Sequence, residues 1–239
     1  MNVALLGYGK MGKVIEQVCL ERGHRIACVI DSIHDFELKA AQLEKADIAI
    51  DFSLPETAFD NILRCFELSL PVVVGTTGWY NHYDEVKKLC LHKSLALFHA
   101  PNFSLGMNIV FRLNKQLAKL VNGTHYRLSL HETHHTQKLD APSGTALRLA
   151  EDMIERVGDL KSWRIGNSEQ EDVLPIDVSR IGDVSGIHEV IADSAEDTIS
   201  LKHEAKGRKG FAVGAVLAAE FLFGKKGVFM MDDILNDKY

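Results

Sequence analysis

His131-Glu132-Thr133-His134-His135 is followed by Lys138, Asp140 and the segment Ala141-Pro142-Ser143-Gly144-Thr145. An imidazole titrates close to neutral pH, so any of these histidines can give or take a proton. The first five residues also match HExxH, in which two histidines one helical turn apart share a zinc ion. That match requires a helix, yet Tyr126, Leu128 and Leu130 alternate with Arg127, Ser129 and His131 as a strand would. Histidines at i and i+4 of a strand stand about 13 Å apart, too far to share one zinc. The spacing therefore argues against a zinc hydrolase, and no metal site is expected.

The other reading places His134, His135 and Lys138 on a loop that leaves a sheet, where side chains are open to chemistry. Ser143 then caps a helix whose apolar stripe is Leu147, Ala150, Ile154 and Val157. The NH groups of Gly144 and Thr145, the hydroxyl of Ser143 or Thr145 and the Lys138 ammonium could together hold a carboxylate. The same residues also fit a structural loop with a capped helix, and spacing does not choose between the two.

A second group has a different chemistry. The apolar run Val3–Leu6 leads into Gly7-Tyr8-Gly9-Lys10-Met11-Gly12, after which Val14, Ile15, Val18 and Cys19 repeat at helical spacing. Gly23 ends that helix, and the strand Ile26–Ile30 closes on Asp31. Strand, glycine turn, helix, strand and acid form the dinucleotide-binding fingerprint, with the acid about 20 residues after the glycines. Gly7 permits the tight turn, Gly9 lets the backbone approach a pyrophosphate, and Gly12 lets helix and strand pack closely. Asp31 would accept hydrogen bonds from an adenosine ribose and repel a 2′-phosphate, which favours NADH over NADPH. Ser32 brings no positive charge to reverse this, and Lys10 fits either a phosphate contact or an ordinary solvated lysine.

These groups need a scaffold. Further apolar runs at Ile48–Ile50, Val72–Val74 and Leu95–Phe98 alternate with helical patterns, as in a parallel sheet covered on both faces. After about residue 104 a long helix over Met107–Val121 presents Ile109, Val110, Leu113, Leu117, Leu120 and Val121 on one face. Period-two alternation then returns at Ile176–Ile181, Ile187–Ile191 and Ile199–His203, predicting an α+β layer with one face open to a helix or another subunit.

Composition narrows the partners. The 239 residues allow one or two domains, and 46% hydrophobic with 25% charged residues excludes a mainly disordered chain. A net charge of −6 gives no positive field for nucleic acid. The apolar stretch Phe211–Phe223 is interrupted by Glu220 and falls short of the roughly 18 residues of a membrane span. The N-terminus has neither the basic nor the apolar region of a signal peptide, and Cys19, Cys28, Cys65 and Cys90 form no CxxC pair. A cytoplasmic protein with reduced cysteines is expected.

The segment from Glu132 to Thr145 resembles, at every fixed position, the E-x-H-H-x-x-K-x-D-A-P-S-G-T signature of dihydrodipicolinate reductases, also called 4-hydroxy-tetrahydrodipicolinate reductases. Asp51-Phe52-Ser53, Gly75-Thr76-Thr77-Gly78, Ala100-Pro101-Asn102-Phe103-Ser104, Arg180 with Gly182, Gly186 and His188, and Arg208 with Phe211 are similar to further family blocks, in order along the chain. The resemblance implies a Rossmann-type doubly wound domain over 1–104 and 209–239. A catalytic and oligomerisation domain of α+β type, with an open mixed sheet, would occupy 105–208.

It also implies reduction of 4-hydroxy-tetrahydrodipicolinate, via dihydrodipicolinate, to tetrahydrodipicolinate by NADH or NADPH, in lysine and diaminopimelate biosynthesis and within a homotetramer. By position His134 would be the acid/base residue and Lys138 the proton donor. His135, Lys138, Gly144, Thr145 and Arg208 would hold the dicarboxylate, and Gly75, Thr76, Thr77, Ala100, Pro101, Asn102 and Phe103 would line the cofactor. The glycine loop departs from the family form in being one residue shorter, with Lys10 where arginine is common. A nicotinamide-binding regulator without turnover is the alternative, but it would have no use for a proton donor beside an anion site.

Overall fold

The computed structural model describes residues 1–237, and the chain divides into two compact units. The first comprises Met1–Leu105 together with the chain from Arg208 onward, and the second Gly106–Gly207. In chain order the first unit contains β1 (Asn2–Leu6), α1 (Lys10–Glu21), β2 (Arg25–Ile30), α2 (Ile33–Leu38), α3 (Ala40–Leu43), β3 (Ile48–Asp51), α4 (Pro55–Glu67), β4 (Val72–Val74), α5 (Tyr83–His92) and β5 (Ala96–His99). The second contains α6 (Leu105–Val121), β6 (Arg127–His134), α7 (Gly144–Ile154), β7 (Ser162–Ile165), β8 (Val173–Arg180), β9 (Ile187–Asp193) and β10 (Thr198–Glu204). The chain then adds α8 (Lys209–Leu222), β11 (Gly227–Phe229) and α9 (Met231–Asp237) to the first unit.

All six strands of the first unit run parallel, in the order β11-β5-β4-β3-β1-β2. Successive strand residues feed opposite layers. Val3, Leu5, Ile48, Ile50, Val73 and Phe98 pack with α1, α8 and α9, whereas Ala4, Leu6, Ala49, Val72, Val74 and Leu97 pack with α4 and α5. Burial on both faces is why these strands read as unbroken apolar runs. The four cysteines are buried and free among these side chains. The short β11 and α9 lie outside the sequence reading, because three residues opening on a glycine carry too little pattern. The stretch Phe211–Phe223 is α8, and among the described residues no helix is long and apolar enough to cross a membrane.

The second unit has a mixed five-stranded sheet in the order β10-β9-β6-β8-β7. β9 is antiparallel to β6 and β10, while β8 is parallel to β6 and β7. Leu128, Leu130, Leu174, Ile176, Val190 and Ala192 pack beneath α6 and α7. Two helix faces differ from expectation. In α6 the buried residues are Met107, Asn108, Val110, Phe111, Asn114, Leu117, Ala118 and Val121, whereas Ile109, Leu113 and Leu120 are exposed. In α7 they are Ala146, Leu149, Ala150, Asp152 and Met153, with Leu147 and Ile154 only half-buried. Both helices carry apolar residues around more than one face, and the face that meets the sheet buries Met107, Phe111 and Leu117 of α6 and Leu149 and Met153 of α7.

Gly214 of α8 faces the backbone of Phe103 so closely that a Cβ would lie 1.7 Å from its carbonyl oxygen. Gly210, in the same helix, would meet nothing within 4 Å. Gly214→Ala is expected to cost about 2 kcal/mol or more in urea unfolding, and Gly210→Ala to be neutral or stabilising by about 0.5 kcal/mol. Equal effects would contradict the packing.

Candidate active site

In the first unit the chain leaves β1 at Gly7 with φ +86, where a Cβ would strike the Phe52 carbonyl at 2.5 Å. A Cβ on Gly12 would meet the Gly7 oxygen at 2.3 Å, so only glycine lets α1 start this close to the turn. Gly9, the N-cap of α1, has open space beside it, so the helix start is accessible to an anion. Lys10 is exposed and Met11 half-buried at the helix start. Asp31 accepts a hydrogen bond from the Tyr8 N–H at 2.8 Å, which ties the acid to the glycine loop and engages one of its oxygens.

The order of strands reverses between β1 and β3, the place where doubly wound sheets hold ligands. Buried Asp51, ending β3, accepts from the Ser53 N–H and O–H, the Asn61 amide and the Thr76 hydroxyl at 2.6–2.9 Å. Thr76 is thereby turned inward and can offer a cofactor only its backbone, whereas Thr77 is exposed. A Cβ on Gly75 would overlap the Phe52 ring at 2.2 Å, and Phe52 and Phe103 meet with centroids 5.5 Å apart. Ala100 and Phe103 are buried, Asn102 half-buried and Pro101 exposed. The Asn102 side chain accepts from the Ser104 N–H at 2.8 Å. These residues form a loop shelf along one end of the sheet. Its open glycine, helix start and nearby acid suit a dinucleotide such as NADH or NADPH.

The second unit brings together the histidines, Lys138 and the start of α7. β6 runs Arg127–His134, so the HExxH string from His131 to His135 lies in a strand and the residue after it, not on one helical face; His131 is exposed and His134, the last strand residue, is buried. His131 instead lies 3.7 Å from Asp177. Strand register places His188 opposite Glu132 and Arg180 opposite His134. Glu132 is fully buried and accepts from the Ser143 N–H at 3.0 Å, from the Ser143 hydroxyl and from Arg180 Nη2 at 3.0 Å. Burial pushes its carboxyl up, but these donors outweigh that and hold it below the ordinary glutamate value. The Ser143 hydroxyl, expected to face a ligand, is instead consumed inside the protein, where it also caps Ala146 N and meets His188 Nε2 at 3.1 Å.

Lys138 pairs with Asp140 at 2.8 Å. Arg180 gathers the same loop through the carbonyls of Asp140 at 2.6 Å and Lys138 at 3.4 Å. The loop passes a cis Ala141–Pro142 bond and enters α7 at Gly144, which is exposed, with Thr145 half-buried. Burial lowers the proton affinity of His134, and Lys138 and Arg180 lower it further, while Glu132 opposes them. His188 is driven down to about 4, chiefly by burial, and stays neutral at ordinary pH. His134, His135, Lys138, Ser143, Gly144 and Thr145 therefore share the second unit, whereas Arg208 is the exposed N-cap of α8 in the first.

Glu132, Asp140, Arg180, Gly186 and His188 carry the geometry, yet the sequence reading gave them no role. The signal was present in the blocks that contain them; what was missing was the strand register that makes them neighbours. Glu132, His134 and His188 also bring potential metal-ligand atoms within 4.8 Å of one another. Ser143 donates to Oε2 and Arg180 to Oε1, so both carboxylate oxygens already have protein donors.

Residues 1–103 match the family model described as dihydrodipicolinate reductase, N-terminus, and residues 106–235 match that of its C-terminus. A 4-hydroxy-tetrahydrodipicolinate reductase from Christiangramia forsetii is 44% identical over 100% of this chain and 99% of its own. That from Clostridium novyi is 36% identical over 96% of each chain. A solved dihydrodipicolinate reductase from Paenisporosarcina sp. TG-14, with dipicolinate bound, is similar at TM-score 0.79 and 20% identity, covering 96% of this chain and 97% of that one. A probable dehydrogenase from Thermotoga maritima is similar at TM-score 0.61 and 10% identity, over 98% and 92%. The last two likenesses concern the fold.

Removing the cation beside Glu132 tests the electrostatics. Arg180→Met is expected to cost about 2–3 kcal/mol in urea unfolding at pH 7, since it leaves a buried carboxylate short of its partner. The native carboxyl of Glu132 lies below its ordinary 4.5, so its stabilisation is complete above that pH and fades as pH falls through the native value. The penalty of Arg180→Met should therefore shrink in acid; a pH-independent penalty would contradict the pairing.

Proposed function

The chain belongs to the dihydrodipicolinate reductase family, and from that premise we infer that it is an NAD(P)H-dependent oxidoreductase reducing 4-hydroxy-tetrahydrodipicolinate, via dihydrodipicolinate, to tetrahydrodipicolinate. The observation that carries the assignment to residues is the convergence of His134, Lys138 and the first turn of α7 around one buried ion-pair network. The substrate is a cyclic dicarboxylate. A helix N-terminus at Gly144 and Thr145, with His135 and the Lys138 ammonium nearby in sequence, suits one of its carboxylates. Arg208 stands as a further candidate anion contact.

When bound, the reduced nicotinamide supplies a hydride. Gly7, Gly9 and Gly12 with the start of α1 would hold its pyrophosphate, with Lys10 and Met11 alongside. Asp31 would hold the adenosine ribose, and the shelf from Gly75 to Thr77 and from Ala100 to Phe103 would take the remainder. The unsaturated ring that accepts the hydride must also gain a proton. Lys138 is the proton donor in this reading, and His134 the acid/base residue that exchanges protons with the reacting region. Asp140 holds the Lys138 ammonium until substrate carboxylate competes for it.

Asp31 favours NADH, since a carboxylate repels the 2′-phosphate of NADPH. The outer face of the second sheet, where Ile187 and Ile191 accompany His131, Glu189 and Ser200, supports assembly into a homotetramer. Buried, unbridged cysteines fit the reducing cytoplasm.

The test is NADH absorbance with substrate generated in place from pyruvate and aspartate semialdehyde by the preceding synthase. Substrate-dependent loss that chelator does not affect supports the assignment; unchanged absorbance despite NADH binding contradicts it. Lys138→Ala should lower kcat by about 1000-fold with NADH affinity retained, and a collapse of NADH affinity would overturn the site. Asp31→Ala should weaken NADH far more than NADPH, whereas equal losses would mean that the carboxylate does not meet the ribose.

A further inference from the structure

The Ser143 hydroxyl has one proton and three neighbours. Its contact with Glu132 Oε2 is short and needs that proton, because a carboxylate can only accept. The lone pairs of Oγ then face the Ala146 N–H at 3.2 Å and His188 Nε2 at 3.1 Å. His188 must therefore donate from Nε2, and because it is neutral its Nδ1 is bare.

Glu132 is held from two directions, by the N–H and O–H of Ser143 and by Arg180. Its Oε2 lies 3.8 Å from His134 Nδ1, which is buried without a hydrogen-bond partner. A bare nitrogen there would turn its lone pair toward a carboxylate, whereas an N–H presents positive charge to it. The opposite edge of the ring borders Gly186, where a Cβ would come within 3.2 Å of Nε2 at φ +150. Glycine at that position leaves this edge uncovered. The other charged or titratable groups around His134 are Arg180 on β8, Lys138 and Asp140 on the loop, and His188 on β9, with His203 on β10 beyond His188.

We propose that Glu132, with Ser143 and His188, positions His134 as its Nδ1–H tautomer, so that Nε2 is the atom that exchanges the proton. The proposal rests on the reading of His134 as the acid/base residue and adds which nitrogen acts and what fixes it. The Glu132 carboxylate, the Ser143 hydroxyl and His188 Nε2 all meet protein groups. Because Ser143 also caps α7, the same carboxylate sets both the proton-exchanging ring and the helix start that receives an anion.

Neutron crystallography of the deuterium-exchanged protein at neutral pH reads the tautomers directly. Deuterium on His134 Nδ1 and His188 Nε2 is expected; deuterium on His134 Nε2 with Nδ1 bare overturns the proposal. Glu132→Gln keeps the shape and removes the charge. It should lower kcat by about 100-fold with the KM for NADH within about twofold, and move the His134 ionisation in the kcat profile down by about one pH unit. An unmoved ionisation overturns the proposal.

Should Glu132→Gln fail to fold, the His188 pair decides. His188→Ala should lower kcat by about tenfold, and His188→Gln, whose amide can still donate to Ser143, should recover most of it. Equal losses in both variants overturn the proposal. The neutron map needs no turnover, so a wrong tautomer leaves the reductase reading intact, while wild-type protein that fails to oxidise NADH with substrate overturns both.

Discussion

A carboxylate sealed in the second unit must be neutralised, and the residues around Glu132 are organised by that demand. An ionised carboxyl away from water costs several kcal/mol unless charge and hydrogen bonds compensate. Here compensation comes from a cation on β8, from the first residue of the α7 cap and from a hydroxyl backed by an imidazole on β9. Meeting one electrostatic requirement thus fixes three separate pieces of chain. It places Arg180, which draws in the Lys138–Asp140 loop, and it places Ser143, which starts α7. His134, Lys138 and the start of α7 are near one another because they share this anchor.

The first unit obeys a different constraint, close approach of backbone to backbone. Gly7, Gly12 and Gly75 sit where a Cβ would overlap a neighbouring carbonyl or the Phe52 ring. Phe52 and Asp51 leave β3 at the point where the strand order reverses, and Asp51 ties the Ser53 and Thr76 loops together. The nucleotide shelf is therefore made largely of main chain, which suits a ligand recognised through phosphate and ribose.

Local patterns were legible because their causes are local. The apolar runs of β1 to β4, the glycine turn and the alternation in β6, β8, β9 and β10 follow from burial at fixed period, and the dinucleotide fingerprint combines several of them, whereas the wholly exposed β7 carries no such pattern. The buried faces of α6 and α7 were misread because choosing among competing apolar stripes depends on which sheet the helix meets. Ser143 was placed correctly at a helix start, but its hydroxyl was aimed at a ligand because no local signal reports Glu132 behind it. Arg180 lies 48 residues from Glu132, and His188 lies 45 residues from Ser143. Only the pairing of β6 with β8 and β9 makes them neighbours, and such register is invisible to spacing along one strand.

The central claim is that the start of α7 and the end of β6 form one receptor for a dicarboxylate. A crystal structure of the protein with dipicolinate bound tests it most directly. The account predicts one carboxylate on the Gly144 and Thr145 backbone, with His134 and Lys138 facing the ring. Dipicolinate bound away from the α7 N-terminus, with the Lys138–Asp140 pair and His134 untouched, would contradict it.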